Sequence, residues 1–168
     1  MVIRLLILIF CFTSGSLNAQ ILNPEFKDLL DSTYHHTVPL ITVEDFRELD
    51  KYNVFLLDTR EAKEYKVSHL KNARHVGYFW FDMRSVYDIP KDAIIVLYCS
   101  VGIRSEKIGE KLLRSGYQNV YNLYGSIFEW VNQKNPVYRS SGVQTSEIHG
   151  YNKDWSRWLE RGAIVLGR

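Results

Sequence analysis

Cysteine is scarce: only Cys11 and Cys99 occur in 168 residues. That excludes a disulfide scaffold and a multi-cysteine zinc site. An excess of one charge is also lacking. Lys plus Arg number 21 and Asp plus Glu 19, a formal net charge of +2. With no basic surplus and no acidic tail, nothing calls for nucleic acid as a partner. Four prolines and ten scattered glycines exclude a collagen-like or linker-dominated chain. There is no internal repeat. His35, His36 and His75 lack partners at ligand spacing, so no metal site is expected. What is present is 46% hydrophobic and 24% charged residues, the composition of a single globular domain.

The chain opens with the short basic stretch Met1–Arg4. An unbroken apolar run, Leu5 to Phe12, follows, and then a small, polar segment ending at Ala19. This order predicts a secretory signal peptide over residues 1–19, cleaved after Ala19, and hence a periplasmic or secreted protein. The run is too short to span a bilayer, which takes about 20 residues. Retention of the signal as an anchor is one alternative, and a lipoprotein at Cys11 the other, disfavoured by Phe10 where a small residue is needed. Cleavage removes Arg4, lowering the net charge to +1, and Cys11, leaving Cys99 as the sole thiol. A lone thiol in an oxidising compartment is either buried and inert or used.

Two apolar runs, Val54 to Asp58 and Ala93 to Tyr98, read as strands buried on both faces. Asn119 to Leu123 is a third strand, with weaker ones at Leu40–Ile41 and Ala73–Val76. Helices are predicted from a Thr42 N-cap through Leu49, over 62–67, 79–87, 105–115 (stopped at Gly116) and 126–132. The alternation predicts an α/β fold, a central parallel sheet of about five strands with helices on both faces. Residues 20–37 form a lead-in and 38–138 the domain. The remainder, 139–168, is an extension, read as loop over 139–150 and as a docking helix around Trp155, Trp158 and Leu159.

Cys99-Ser100-Val101-Gly102-Ile103-Arg104-Ser105 lies between a buried strand and an amphipathic helix. Ligands of open α/β sheets bind at the carboxyl ends of strands. Loop N–H groups can form an anion nest there. Gly102 relieves a backbone that turns through positive φ, and the helix start and Arg104 add positive potential. Each factor favours thiolate over thiol, making Cys99 a candidate nucleophile.

The motif Cys99-x-x-Gly102-x-Arg104-Ser105 resembles the active-site loop of single-domain rhodaneses, a sulfurtransferase family. Leu57-Asp58-Thr59-Arg60-Glu61 with Glu64-Tyr65 resembles the family's early block. Ser68-His69-Leu70-Lys71-Asn72-Ala73 resembles a second, and Asn122 to Ser126 with Trp130 and Pro136-Val137 a closing one. Ser68, Asn72 and Ser126 stand where the family has glycine. The resemblance implies a rhodanese-like three-layer fold in which Cys99 carries a persulfide. The donor would be a small sulfur-containing anion, and the acceptor a small thiophile or a protein thiol. No cofactor is implied. Ser100, Val101, Gly102, Ile103, Arg104 and Ser105 would bind the substrate, with the Arg104 fork meeting its oxygens. Asp58 is an orienting candidate, Arg60 with Glu61 a structural ion pair, and His69 a turn-holding residue. A cysteine phosphatase or arsenate reductase, and an idle binding module of the same fold, remain alternatives. The span from Cys99 to Arg104 is one residue shorter than the loop of cysteine phosphatases.

Overall fold

A computed structural model describes residues 21–167. The predicted signal peptide and its cleavage point lie outside the described residues. Five parallel strands form the sheet: β1 (Leu40–Ile41), β2 (Val54–Asp58), β3 (Arg74–His75), β4 (Ile94–Tyr98) and β5 (Asn119–Leu123), in the order β1-β5-β4-β2-β3. β4 is central and pairs in register with β2 from Val54↔Ile94 to Asp58↔Tyr98. It pairs on its other side with β5.

Side chains of β4 alternate between two cores, as strand geometry requires. Val96 and Tyr98 join Phe26, Leu30, Val43, Phe46, Ile127 and Phe128 on one face. Ile95 and Leu97 join Ile108, Leu112, Val86 and Tyr117 on the other. α1 (Pro24–Thr33), α2 (Val43–Glu48) and α5 (Ser126–Asn132) therefore cover the first face, and α4 (Ile103–Arg114) the second. α3 (Ala62–Val67) follows β2 and is fixed by a reciprocal capping box between Glu61 and Glu64.

Several expectations are corrected. The helix expected over 79–87 is a single 3-10 turn, Met83–Val86, capped by the Asp82 side chain. Phe81, Met83 and Val86 pack on the second core, but Phe79 and Trp80 are exposed and give no buried anchor that would extend the turn toward residue 79. α4 begins at Ile103, two residues before Ser105, because Gly102 takes the N-cap position at φ 109°. Residues 139–150 are not simply loop. They contain β7 (Gln144–Thr145), which pairs with β6 (Val137–Tyr138), and β8 (Glu147–His149), which pairs in parallel with β9 (Ala163–Val165). Such two- and three-residue strands leave little local signal, and β8 is held by a partner sixteen residues away. The terminal helix, α6 (Lys153–Ser156), is one turn only, capped by Asn152. Beyond it Trp158 stacks on Phe26 of α1 at 5.3 Å between ring centroids.

Two residues that stand where the resemblance expects glycine, Asn72 and Ser126, adopt φ 63° and 54°. The backbone there keeps the left-handed turn that favours glycine. Ser68 is extended instead, at φ −168°, and needs no such freedom.

Candidate active site

β4 delivers Cys99 to the carboxyl edge of the sheet, between the ends of β2 and β5. The loop after it is shaped by its carbonyls, each engaged from outside. Those of Cys99 and Ser100 accept the Ile127 and Phe128 N–H groups at the start of α5, at 3.3 and 3.2 Å. The Val101 carbonyl accepts the Tyr34 hydroxyl. The Gly102 carbonyl accepts Asn122 Nδ2 at 2.9 Å. With its oxygens turned outward, the loop turns N–H groups inward. Gly102 N–H donates to Cys99 Sγ at 3.1 Å, and the Ser105 N–H also bears on the sulfur. Gly102 is required twice over, by its positive φ and because a Cβ would collide with the Tyr34 hydroxyl.

Burial, with Cys99 only 1% exposed, would by itself raise the thiol pKa. The Arg104 charge and the N–H groups of Ser105 and Gly102 outweigh it, so the pKa lies below its ordinary value. The negative charge of the Cys99 thiolate, after burial itself, helps raise the Tyr34 phenol.

Arg104 does not point its fork at open space. Its Nη1 and Nη2 donate to Glu64 Oε2 and Oε1, both at 2.7 Å, and Nη2 also reaches Ser100 Oγ at 3.0 Å. Ser100 Oγ in turn donates to Glu64 Oε1 at 3.1 Å. Burial would raise the Glu64 carboxyl, but the Arg104 hydrogen bonds and charge, with Arg60 behind, bring it down to about 2. Ser105 Oγ bonds Asn122 Oδ1 at 2.7 Å behind the loop.

Asp58 is buried and engaged away from the sulfur. Its Oδ2 accepts Arg60 Nη2 at 2.6 Å and its Oδ1 the Arg60 backbone N–H at 2.9 Å. The expected Arg60–Glu61 pair is therefore corrected to Arg60–Asp58, while Glu61 caps α3. Arg60 also donates to the Ser68 carbonyl at 2.7 Å, tying the end of β2 to the turn after α3. His69 serves that turn too, stacking on Tyr65 at 3.9 Å and bridging to Tyr138 through its backbone.

A pocket of about 120 Å³ opens over the loop, lined by Cys99, Ser100, Val101, Ile103, Arg104, Tyr151 and Trp155. The last two come from the C-terminal extension. Sequence reading did not find them, nor Glu64, Tyr34 and Asn122, as partners of the loop. All lie 17 or more residues from their contacts, and no local pattern marks such pairs. Ser126, which stands where the resemblance expects glycine, joins the site as well. Its Oγ accepts the Cys99 N–H at 3.1 Å.

Known proteins resemble this one in sequence and in fold. A tRNA uridine(34) hydroxylase of Hamiltonella defensa is 35% identical over 109 residues, 60% of this chain but 31% of that protein. The chain thus spans about a third of that relative's length. A rhodanese-related protein from Thermoplasma volcanium superposes with a TM-score of 0.51 at 25% identity, covering 59% of this chain and 96% of that one. The polysulfide-sulfur transferase homodimer of Wolinella succinogenes has a TM-score of 0.55 at 20% identity, covering 70% of this chain and 89% of that one, a likeness of fold alone. The family profile described as Rhodanese-like domain matches residues 42–133, more than half of the chain. With that match, the five-stranded parallel sheet and the cysteine loop at its carboxyl edge, the chain belongs to the rhodanese-like domain family.

Proposed function

We propose that the protein is a sulfurtransferase that carries sulfur on Cys99. The observation that supports this most is the sulfur's setting. Cys99 Sγ receives a loop N–H at 3.1 Å inside a loop of six residues from Cys99 to Arg104. The Cys99 thiolate attacks the outer sulfur of thiosulfate or of a persulfide. The donor's S–S bond breaks, sulfite or a thiolate leaves with the electron pair, and Cys99 holds a persulfide. A small thiophile or a protein thiol then attacks the terminal sulfur and restores the thiolate. Donor and acceptor thus exchange one sulfur without an external oxidant, metal or organic cofactor.

The engagement of Asp58 also favours sulfur over phosphorus. A phosphatase needs a general acid for its leaving oxygen. Asp58, the candidate for that task, is held by Arg60, and Glu64 is ionised against Arg104. Export through the secretory pathway, with cleavage after Ala19, is part of the proposal and rests on the N-terminal residue order. N-terminal sequencing of the cell-envelope fraction should begin at Gln20. Among the described residues no helix is long and apolar enough to cross a membrane.

Intact mass before and after incubation with thiosulfate or a persulfide tests the chemistry. Wild-type protein should gain one sulfur atom and lose it to cyanide. Cys99→Ser should gain none while keeping its circular dichroism. Hydrolysis of p-nitrophenyl phosphate by the wild type, lost in Cys99→Ser, would reverse the assignment.

A further inference from the structure

The mouth of the Cys99 pocket is built from a part of the chain beyond the family match. Tyr151 and Trp155 belong to the segment after β8, and both line the pocket together with the cysteine. Tyr151 is held in place rather than draped there. Its φ is 64°, a conformation that costs an aromatic residue energy unless its surroundings enforce it. Its own N–H donates to Nδ1 of His149 at 3.0 Å, which anchors the backbone from which the ring departs. His149 itself is 1% exposed. The ring so placed lies against Arg104, whose guanidinium carbon is 4.8 Å from the Tyr151 centroid.

The charge available to a ligand is correspondingly small. Arg104 is the one cation among the lining residues, and both of its outer nitrogens are bonded to the Glu64 carboxylate. The Gly102 and Ser105 N–H groups are directed at the sulfur of Cys99. They serve the thiolate and the persulfide that replaces it. Ser100 also lines the pocket, but its hydroxyl is engaged by Glu64 and Arg104, so what remains for the rest of the donor is a wall of Val101, Ile103, Tyr151 and Trp155. A dianion entering there would lose its hydration shell against aromatic rings and a neutralised arginine. An apolar group entering there would lose water to its advantage. At about 120 Å³ the space lies well below the roughly 300–1,000 Å³ of pockets for drug-sized ligands, so the group must be small.

We infer that Tyr151 and Trp155 are specificity-determining residues that select, as donor, an organic hydropersulfide with a small uncharged substituent over thiosulfate. This rests on the sulfur-transfer reading and names the donor class for the same site. In the step, Cys99–S⁻ attacks the terminal sulfur of R–S–SH. A new S–S bond forms, the old one breaks, and R–S⁻ departs with the electron pair. The proton stays on the transferred sulfur. The organic group R lies between the Tyr151 and Trp155 rings while this happens.

The test measures the rate of Cys99 loading by intact mass, as a function of donor concentration, for ethyl hydropersulfide released in situ and for thiosulfate. Each rate is divided by that of the same donor with a free low-pKa thiol, which removes the donors' intrinsic difference in reactivity. Wild-type protein should prefer ethyl hydropersulfide by about tenfold or more, the discrimination a small apolar group gives in an apolar pocket. Tyr151→Ala and Trp155→Ala should each cut that preference severalfold by slowing the hydropersulfide alone. Tyr151→Phe and Trp155→Phe should restore it. The ratio of two donors in one protein is immune to partial misfolding, which lowers both rates together. Equal preference in the wild type, or an unchanged ratio in both alanine variants, overturns the donor assignment. If neither donor loads Cys99 at all, it is the sulfur-transfer reading that fails.

Discussion

Two arginine–carboxylate pairs stand within the same edge of the sheet, and they behave differently. Asp58 and Arg60 are two residues apart and both side chains are 0% exposed. Glu64 and Arg104 are forty residues apart, with Arg104 12% exposed at the pocket and Glu64 1%. The first pair closes a turn upon itself and reaches one further carbonyl, that of Ser68. The second joins α3 to the cysteine loop, and its Arg104 charge, with the Ser105 and Gly102 N–H groups, favours the Cys99 thiolate. The same ion pair is thus architecture in one place and electrostatic tuning in the other, and access to the pocket makes the difference.

Asp58→Ala should give the largest loss of stability. It leaves the Arg60 guanidinium buried without its partner, at a cost of about 3–5 kcal/mol, visible in the urea midpoint. The folded fraction should keep its loading rate, because Asp58 does not touch the sulfur. A reduced rate per folded molecule would erase the contrast between the pairs.

Arg104→Ala should cost less stability, about 1.5–3 kcal/mol, since water can enter from the pocket side. It should also change the chemistry. Iodoacetamide alkylation followed against pH should report a higher Cys99 pKa than in the wild type. An unshifted profile would place control of the thiolate in the N–H groups alone.

Glu64→Gln sharpens the comparison through pH. The folded Glu64 pKa, about 2, is below its ordinary 4.5. Its charge therefore stabilises the fold fully above about pH 4.5, and that stabilisation fades as pH falls toward about 2. The stability gap between wild type and Glu64→Gln, read from denaturation at each pH, should be widest near neutrality and shrink over that window. A gap independent of pH would mean that shape, not charge, makes the contact.

The smallest effect is expected at the docked tail. Trp158→Ala removes the stack on Phe26, worth about 0.5–1.5 kcal/mol beyond the area it covers. The thermal midpoint should fall slightly, with loading by thiosulfate unchanged.

Much of this arrangement was legible in the residues. β2, β5 and α5 lie where the sequence pattern places them, β2 because an apolar run ending at Asp58 leaves few alternatives. The position of Cys99 at a strand end, and the positive φ of Gly102, followed from the same local logic. The Glu64–Arg104 bond did not. Glu64 was visible as part of a block and Arg104 as a free fork, and nothing within either segment announces a partner forty residues away. Tyr151 is hidden for the same reason, just after a stretch with few aliphatics whose strand β8 is completed by residues 163–165.

The hydroxyl of Tyr34 has a consequence for how the chain can be divided. It holds the Val101 carbonyl from below and occupies the room a larger residue at 102 would need, while Tyr151 and Trp155 face the sulfur from above. Tyr34 precedes the span 42–133 matched by the family and the other two follow it. A fragment cut at those borders would retain the cysteine, its arginine and the entire sheet except β1. It would lose the floor and the roof of the pocket together, so the boundaries of the shared domain are not the boundaries of the working site.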